Sequence, residues 1–279
     1  MIKFSCKAFI AMLSLACLLA GASASARADD AFAKIKKSGV LKVAVYNDFA
    51  PFSAGGNGID VDLAEALANK LGLTVSLLPF PAGDDLGDDL RNMVWKGHYL
   101  GYGPADVLLH VPVDSNLARQ NKQVVIFAPY HRETIRLVND VRKVPRFDNL
   151  DSLAGKNIGV EKVSISAVVL LGAEDGKFRD NVKIYPTSNE ALDALKSGAL
   201  DGVLASRSEI EAAVRDDPNY RISEVSFPRL PHQGWVIGMA VKKDDGELVR
   251  QLQDATAQMV ASGEMAKIFA RHGVAVVTP

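Results

Sequence analysis

Val40-Leu41-Lys42-Val43-Ala44-Val45 is a short β-rich run, and beyond the loop of Asn47-Asp48 and Ala50-Pro51 the residues from Val61 to Leu71 place apolar side chains at helical spacing. The pair reads as a strand followed by a helix. Val61, Leu63, Ala64, Leu67, Ala68 and Leu71 form one broad apolar face, with Asp62, Glu65, Asn69 and Lys70 outside it. Gly72 stops the helix, and Leu73 to Leu78 supplies the next strand. Asp84 to Trp95 then reads as a second amphipathic helix, Ala105 to Val111 as a buried strand and Gln123 to Phe127 as another. Regular alternation of this kind predicts an α/β fold around a mainly parallel sheet.

A second series begins after Pro145. Leu150 to Leu153 is a short helical approach, Asn157 to Val160 a strand, and Ser164 to Leu171 the start of a helix. Val182 to Tyr185, Ser188 to Leu195 and Leu200 to Leu204 continue as strand, helix and strand. A last strand, Trp235 to Val241, leads into a C-terminal helix from Glu247 to about Ala270, broken at Ser262-Gly263. No Gly/Ser-rich or Pro-rich stretch separates the two series, so the connections are expected to be crossing strands and not a loose tether.

Lys3 and Lys7, the apolar run from Phe9 to Ala20 and the small residues Ala24-Ser25-Ala26-Arg27-Ala28 have the make-up of an export signal, with the cut expected before Asp29. The apolar run is too short for the roughly 20 residues of a membrane-spanning helix. No membrane insertion is expected. Cys6 and Cys17 both fall inside this segment, which removes disulfides and thiolate chemistry from the processed chain. The chain of 279 residues carries 32 Lys and Arg against 33 Asp and Glu, and setting aside Lys3, Lys7 and Arg27 leaves 29 against 33. No basic patch of the kind that holds nucleic acid is visible.

The order and spacing of five stretches resemble the type II periplasmic solute-binding proteins, particularly those of polar amino-acid transporters. They are Leu41 to Val45 with Ala50-Pro51-Phe52, Gly58 to Ala64, Phe127 to Tyr130, Leu153 to Val160, and Ser262 to Phe269. The resemblance implies a two-lobed fold, each lobe a mainly parallel sheet flanked by helices, joined by two crossing strands near His131 to Val138 and Pro231 to Val241. It divides the chain into a signal over 1–28, lobe I over 29–132 and 233–279, and lobe II over 133–232. Closure of the lobes around a ligand is the motion such a hinge permits. An amino-acid binder of this family needs an arginine fork for the carboxylate and an acid for the ammonium. Arg119 stands near the expected arginine with one extra residue before it. Ser206 replaces the acid after the Leu200 to Leu204 strand, and Val163-Ser164-Ile165-Ser166 replaces the usual carboxylate cradle.

A second, narrower resemblance rests on Asn92 to Pro104, an aromatic and glycine-rich insertion, with its sequel Ala105 to Asp114. These stretches are similar to the MoxJ/XoxJ-type accessory proteins of quinoprotein methanol dehydrogenases. That resemblance implies a helper in maturation or activation of a pyrroloquinoline-quinone methanol dehydrogenase, lanthanide- or calcium-dependent, which binds the enzyme or a peptide segment of it in the cleft. The alternative is the receptor of an ABC uptake transporter for a small polar solute, and a third reading is a dehydratase on the same fold.

The expected cleft is open and more apolar than an amino-acid site. Its lining is expected from Tyr46, Phe49, Pro51, Phe52, Tyr99, His110, Pro112, Arg119, Ser164, Ser206 and Trp235. Contacts to a partner enzyme are expected from Trp95, His98, Tyr99 and Tyr102, because glycine-flanked aromatics offer rigid contact area. His98, His110, His131, His232 and His272 have no metal-ligand spacing, and Asp84-Asp85 with Asp88-Asp89 reads as acidic capping of a helix start. No G-x-S-x-G or other catalytic constellation is present. The chain therefore reads as a binding protein without metal or cofactor.

Overall fold

A computed structural model describes residues 31–279 except 229, 231 and 232; the export signal expected over 1–28, and His232, lie outside the described residues. Within them the chain forms two five-stranded sheets and one small two-stranded ribbon. The strands are β1 (Val40–Tyr46), β2 (Asp48–Phe49), β3 (Ser53–Ala54), β4 (Thr74–Phe80), β5 (Val107–Pro112), β6 (Val124–Glu133), β7 (Ile135–Asp140), β8 (Ile158–Glu161), β9 (Val182–Tyr185), β10 (Gly202–Ser206), β11 (Tyr220–Glu224) and β12 (Trp235–Lys242). Lobe I carries the order β4-β1-β5-β12-β6, lobe II the order β11-β7-β10-β8-β9, and β2 pairs with β3.

β1 lies between β4 and β5 and runs parallel to both. Its side chains alternate across the sheet as the period of two requires. Leu41, Val43 and Val45 join Leu63, Leu67, Met259 and Phe269 on one face, whereas Ala44 joins Leu90, Met93 and Leu108 on the other. Lobe II repeats the two-sided plan, with Ile158, Val160 and Leu204 packed on Leu170 and Phe178. Val138 and Val203 pack on Leu192, Leu195 and Ile210 across the sheet.

Each sheet contains one strand that runs against the other four. In lobe I it is β12, antiparallel to β5 and β6; in lobe II it is β7, antiparallel to β10 and β11. These are the strands by which the chain enters each lobe from the other. Only Thr134 separates β6 from β7. Trp235, the first residue of β12, packs against the main cores of both lobes. The C-terminal segment adds a third tie: Arg132 N donates to Val277 O at 2.9 Å, and Ala275 N donates to Glu211 Oε2 at 2.9 Å.

The structure departs from the sequence reading in several elements. The helix expected over Asp84 to Trp95 is a short α-turn, Leu86–Leu90, continued by a π-turn, Arg91–Trp95. Asp85 caps it by accepting from Gly87 N. The helices Ser115–Gln120 and Arg207–Val214 and the strand β11 carry no long apolar run and were not anticipated. The C-terminal helix, by contrast, is broken where the sequence places the break, into Gly246–Ala261 and Glu264–Arg271 at Gly263, whose φ is +76°. Among the described residues no helix is long and apolar enough to cross a membrane.

The turn that enters helix Ile59–Lys70 sets the position of the cleft residues. Ile59 N donates to Pro51 O at 3.0 Å and Asp60 N to Phe52 O at 2.8 Å, so the loop carbonyls satisfy the helix start. Gly58 permits this approach: its φ is +135°, and a Cβ there would lie 2.2 Å from Phe52 O. Gly58→Ala is expected to destabilise the protein by roughly 3 kcal/mol, from backbone strain and the clash together. Denaturant unfolding is the measurement, and an unchanged midpoint would show that the loop can move aside.

Candidate functional site

A cavity of about 210 Å³ lies between the lobes. Its lobe I wall is built from Phe49 in β2, Phe52 in the loop before β3, and His110 in β5. The His110 ring stands edge-on to both aromatics, with centroids 4.7 Å from Phe49 and 4.1 Å from Phe52. His110 has a φ of +61°, and its backbone N–H donates to Tyr130 Oη at 3.1 Å. Tyr130 Oη in turn donates to Asp60 Oδ1 at 3.1 Å. Asp60 is fully buried, and its Oδ2 lies 3.2 Å from His110 Nδ1, an ion-pair separation without hydrogen-bond alignment. Burial, together with the charge of Asp60, raises the Tyr130 pKa far above the ordinary tyrosine value, so Tyr130 remains a donor to Asp60.

Lobe II and the crossing strands supply carboxylates to the same cavity: Glu133 ends β6, Glu161 ends β8, and Glu209 lies in helix Arg207–Val214. Glu209 Oε2 accepts from Ser206 N at 3.1 Å and from Ser206 Oγ at 2.6 Å. Burial pushes the Glu209 pKa up to about 7; Glu161 and Glu133 act in the same direction, against the two bonds from Ser206. Glu161 Oε2 accepts from Ser188 Oγ at 2.9 Å.

Glu133 is only 2% exposed and is held through one oxygen, Oε1, by Thr134 N at 2.8 Å and Ser208 N at 3.4 Å. Its Oε2 has no hydrogen-bond partner, and the nearest cation-forming group is His131 Nε2 at 3.7 Å. Burial alone would raise the Glu133 pKa, but His131, Ser208 and Thr134 together hold it below the usual glutamate value. His131 Nδ1 accepts from Val277 N at 3.2 Å, which leaves the proton on Nε2, facing Ser208 Oγ at 3.1 Å.

Of the residues expected in the cleft, Phe49, Phe52, His110, Ser164, Ser206 and Trp235 line this cavity. Tyr46 and Pro112 line an adjoining bay of about 490 Å³ that shares Phe49, His110 and Glu161 with it. Tyr46 Oη donates to Asp89 Oδ2 at 3.2 Å, and its own pKa is raised, by burial first and then by Asp89. Three expected positions are corrected. Pro51 lies in the helix-entry loop and lines neither cavity. Tyr99 is 88% exposed at the tip of the insertion, and Arg119 is an exposed residue bonded to Asn116. The chamber also carries Glu133, Glu161 and Glu209, which the sequence reading did not place there, and among the described residues no lysine or arginine lines it. One signal for Glu209 was present in the sequence, since Ser206-x-x-Glu209 has the spacing of a helix-start capping pair.

The insertion folds on itself. His98 stacks on Tyr102 with centroids 4.2 Å apart and planes at 11°, and Tyr99 lies 4.3 Å from His98. Trp95 packs against the lobe I core, while Tyr99 and Leu100 face outward.

No family model matches the chain. It is 30% identical over 273 residues to a probable histidine-binding protein of Neisseria gonorrhoeae, a match covering 93% of each chain. It is 27% identical over 220 residues to the cyclohexadienyl dehydratase of Pseudomonas aeruginosa, over 74% of each chain. Among solved structures it is similar to an ancestral cationic amino-acid solute-binding protein, with a TM-score of 0.66, 21% identity, and coverage of 86% of this chain and 98% of that one; this likeness shows the fold alone. The relatives named as binding proteins take small solutes, and this corrects the expectation that a pyrroloquinoline-quinone methanol dehydrogenase, or a peptide segment of one, is the partner.

Proposed function

Because the chain belongs to the type II periplasmic solute-binding proteins, we propose that it is the receptor of an uptake transporter and closes its lobes on a small cationic solute. The observation that carries this reading is the lining of the inter-lobe cavity, which among the described residues holds Glu133, Glu161 and Glu209 and no lysine or arginine. Glu133 and Glu209 are already buried and closure removes water from Glu161 as well, and burying uncompensated charge is costly. A bound cation offsets that cost, while the rings of Phe49, Phe52 and Trp235 receive its apolar part and the faces of its charged groups. The relative named as a histidine-binding protein supports a small polar solute of this kind.

Thermal unfolding of the purified protein in the presence of a small-solute panel tests the reading. Cationic solutes at a hundredfold excess over Kd are expected to raise Tm by roughly 5–10 °C, from about 2.7 kcal/mol of linkage stabilisation. Dicarboxylates and neutral sugars are expected to leave Tm unchanged. A saturable shift with an anionic solute and none with cations would overturn the proposal.

A further inference from the structure

We infer that the solute is a linear dication without a carboxylate, of the diamine or polyamine class, with its two ammonium groups lodged at separate carboxylates of the cleft. This inference rests on the cationic-solute reading and narrows it. Glu161 and Glu133 are close enough to Glu209 to act on its charge. Among the described residues, however, no three His, Cys, Asp or Glu side chains converge on a point that could hold a metal ion. Glu133, Glu161 and Glu209 come from different elements, and of the three only Glu161 also lines the adjoining bay, so a single point charge does not meet them all. One ammonium leaves at least one of them uncompensated when the lobes close.

Glu133 Oε2 marks one of these places directly. It belongs to a side chain 2% exposed in the cavity wall, and it has no hydrogen-bond partner within the protein. An ammonium carries several donors and fits such an oxygen. Glu161 marks the second place. It stands where the chamber meets the adjoining bay, and that bay also carries Asp48. A chain-like ligand thus reaches from Glu133 toward Glu161 along the apolar surface of Phe49 and Trp235.

The same lining argues against a carboxylate on the ligand. Arg119 is exposed and bonded to Asn116. His110 Nδ1 faces Asp60 Oδ2 at 3.2 Å inside lobe I. Among the described residues of the lining what remains is the N-terminus of helix Ile165–Gly172, where Ser164 Oγ already accepts from Ala167 N at 3.1 Å. A helix end offers about half an elementary charge, which is outweighed by the neighbouring carboxylates.

Calorimetry with three probes separates the possibilities. Cadaverine is lysine without its carboxylate, and pentylamine is cadaverine without its second ammonium. Cadaverine is expected to bind at least tenfold more tightly than L-lysine and at least tenfold more tightly than pentylamine. Glu161→Gln is expected to bring the cadaverine-over-pentylamine ratio close to one. L-lysine binding as tightly as cadaverine, pentylamine doing so, or an unchanged ratio in Glu161→Gln would overturn the dication while leaving a cationic solute in place. Absence of binding by all three would overturn the dication, and the cationic reading falls with it only if no cation of the thermal panel shifts Tm either.

Discussion

Between pH 5 and 8 the empty protein is expected to lose stability while its grip on a cation tightens, and Glu209 is expected to cause both. Its pKa stands at about 7 in the folded protein against 4.5 for an unperturbed glutamate. Below 4.5 both the folded and unfolded chains hold this proton. Between 4.5 and 7 the unfolded chain has released it and the folded one has not, so stability falls as pH rises; above 7 the dependence ends. The shift corresponds to about 3 kcal/mol across that window. A cation beside Glu209 favours the ionised form, so binding expels the proton, and affinity is expected to rise about tenfold per pH unit up to 7. Glu209→Gln keeps an acceptor for the Ser206 bonds but has no proton to release. The comparison of variant with wild type isolates Glu209 from Asp89, Asp106 and Asp245, whose pKa values burial also raises. Urea unfolding and calorimetry across the range are the measurements. Equal pH slopes in wild type and Glu209→Gln would remove Glu209 from the account.

Asp60→Ala is expected to cost about 3–5 kcal/mol, because it removes the one carboxylate that serves two buried groups. Tyr130 Oη donates to Asp60 Oδ1 and His110 Nδ1 faces Asp60 Oδ2, and Tyr130 is itself the acceptor for the His110 backbone. Without Asp60 the buried tyrosine hydroxyl loses its acceptor, and the imidazole is left against Phe49 and Phe52. Asp60→Asn keeps an oxygen for Tyr130 and is expected to cost less. A double-mutant cycle of Asp60→Ala with Tyr130→Phe is expected to show a coupling of at least about 1 kcal/mol. A loss below that figure for Asp60→Ala alone would mean that the cluster contributes little to holding the cleft wall.

The architecture was legible where periodicity is strong. Val40 to Val45 and Val61 to Leu71 have unmistakable strand and helix patterns, and they form an interior strand of the lobe I sheet and the helix that covers it. Tyr220–Glu224 was not legible, since its residues are mostly half-exposed or exposed and carry no apolar run. The aromatic half of the candidate site followed from loops after strands. Its acidic half did not, because a glutamate in sequence reads as a surface residue unless its burial is known, and burial is set by tertiary packing. Glu133 becomes a cleft residue only because β6 crosses toward lobe II and presents it there. The insertion from Asn92 to Pro104 led the partner reading toward a dehydrogenase, yet His98 and Tyr102 are largely occupied with each other.

The segment after Val274 holds the crossing strand through Arg132 and His131, and lobe II through Glu211. Whatever grips that stretch therefore pulls on the joint. Changes within that stretch are expected to alter the ease with which the two halves swing. Immobilisation for a biosensor belongs on an exposed side chain well away from it, so that the recorded signal reports the solute and not the attachment.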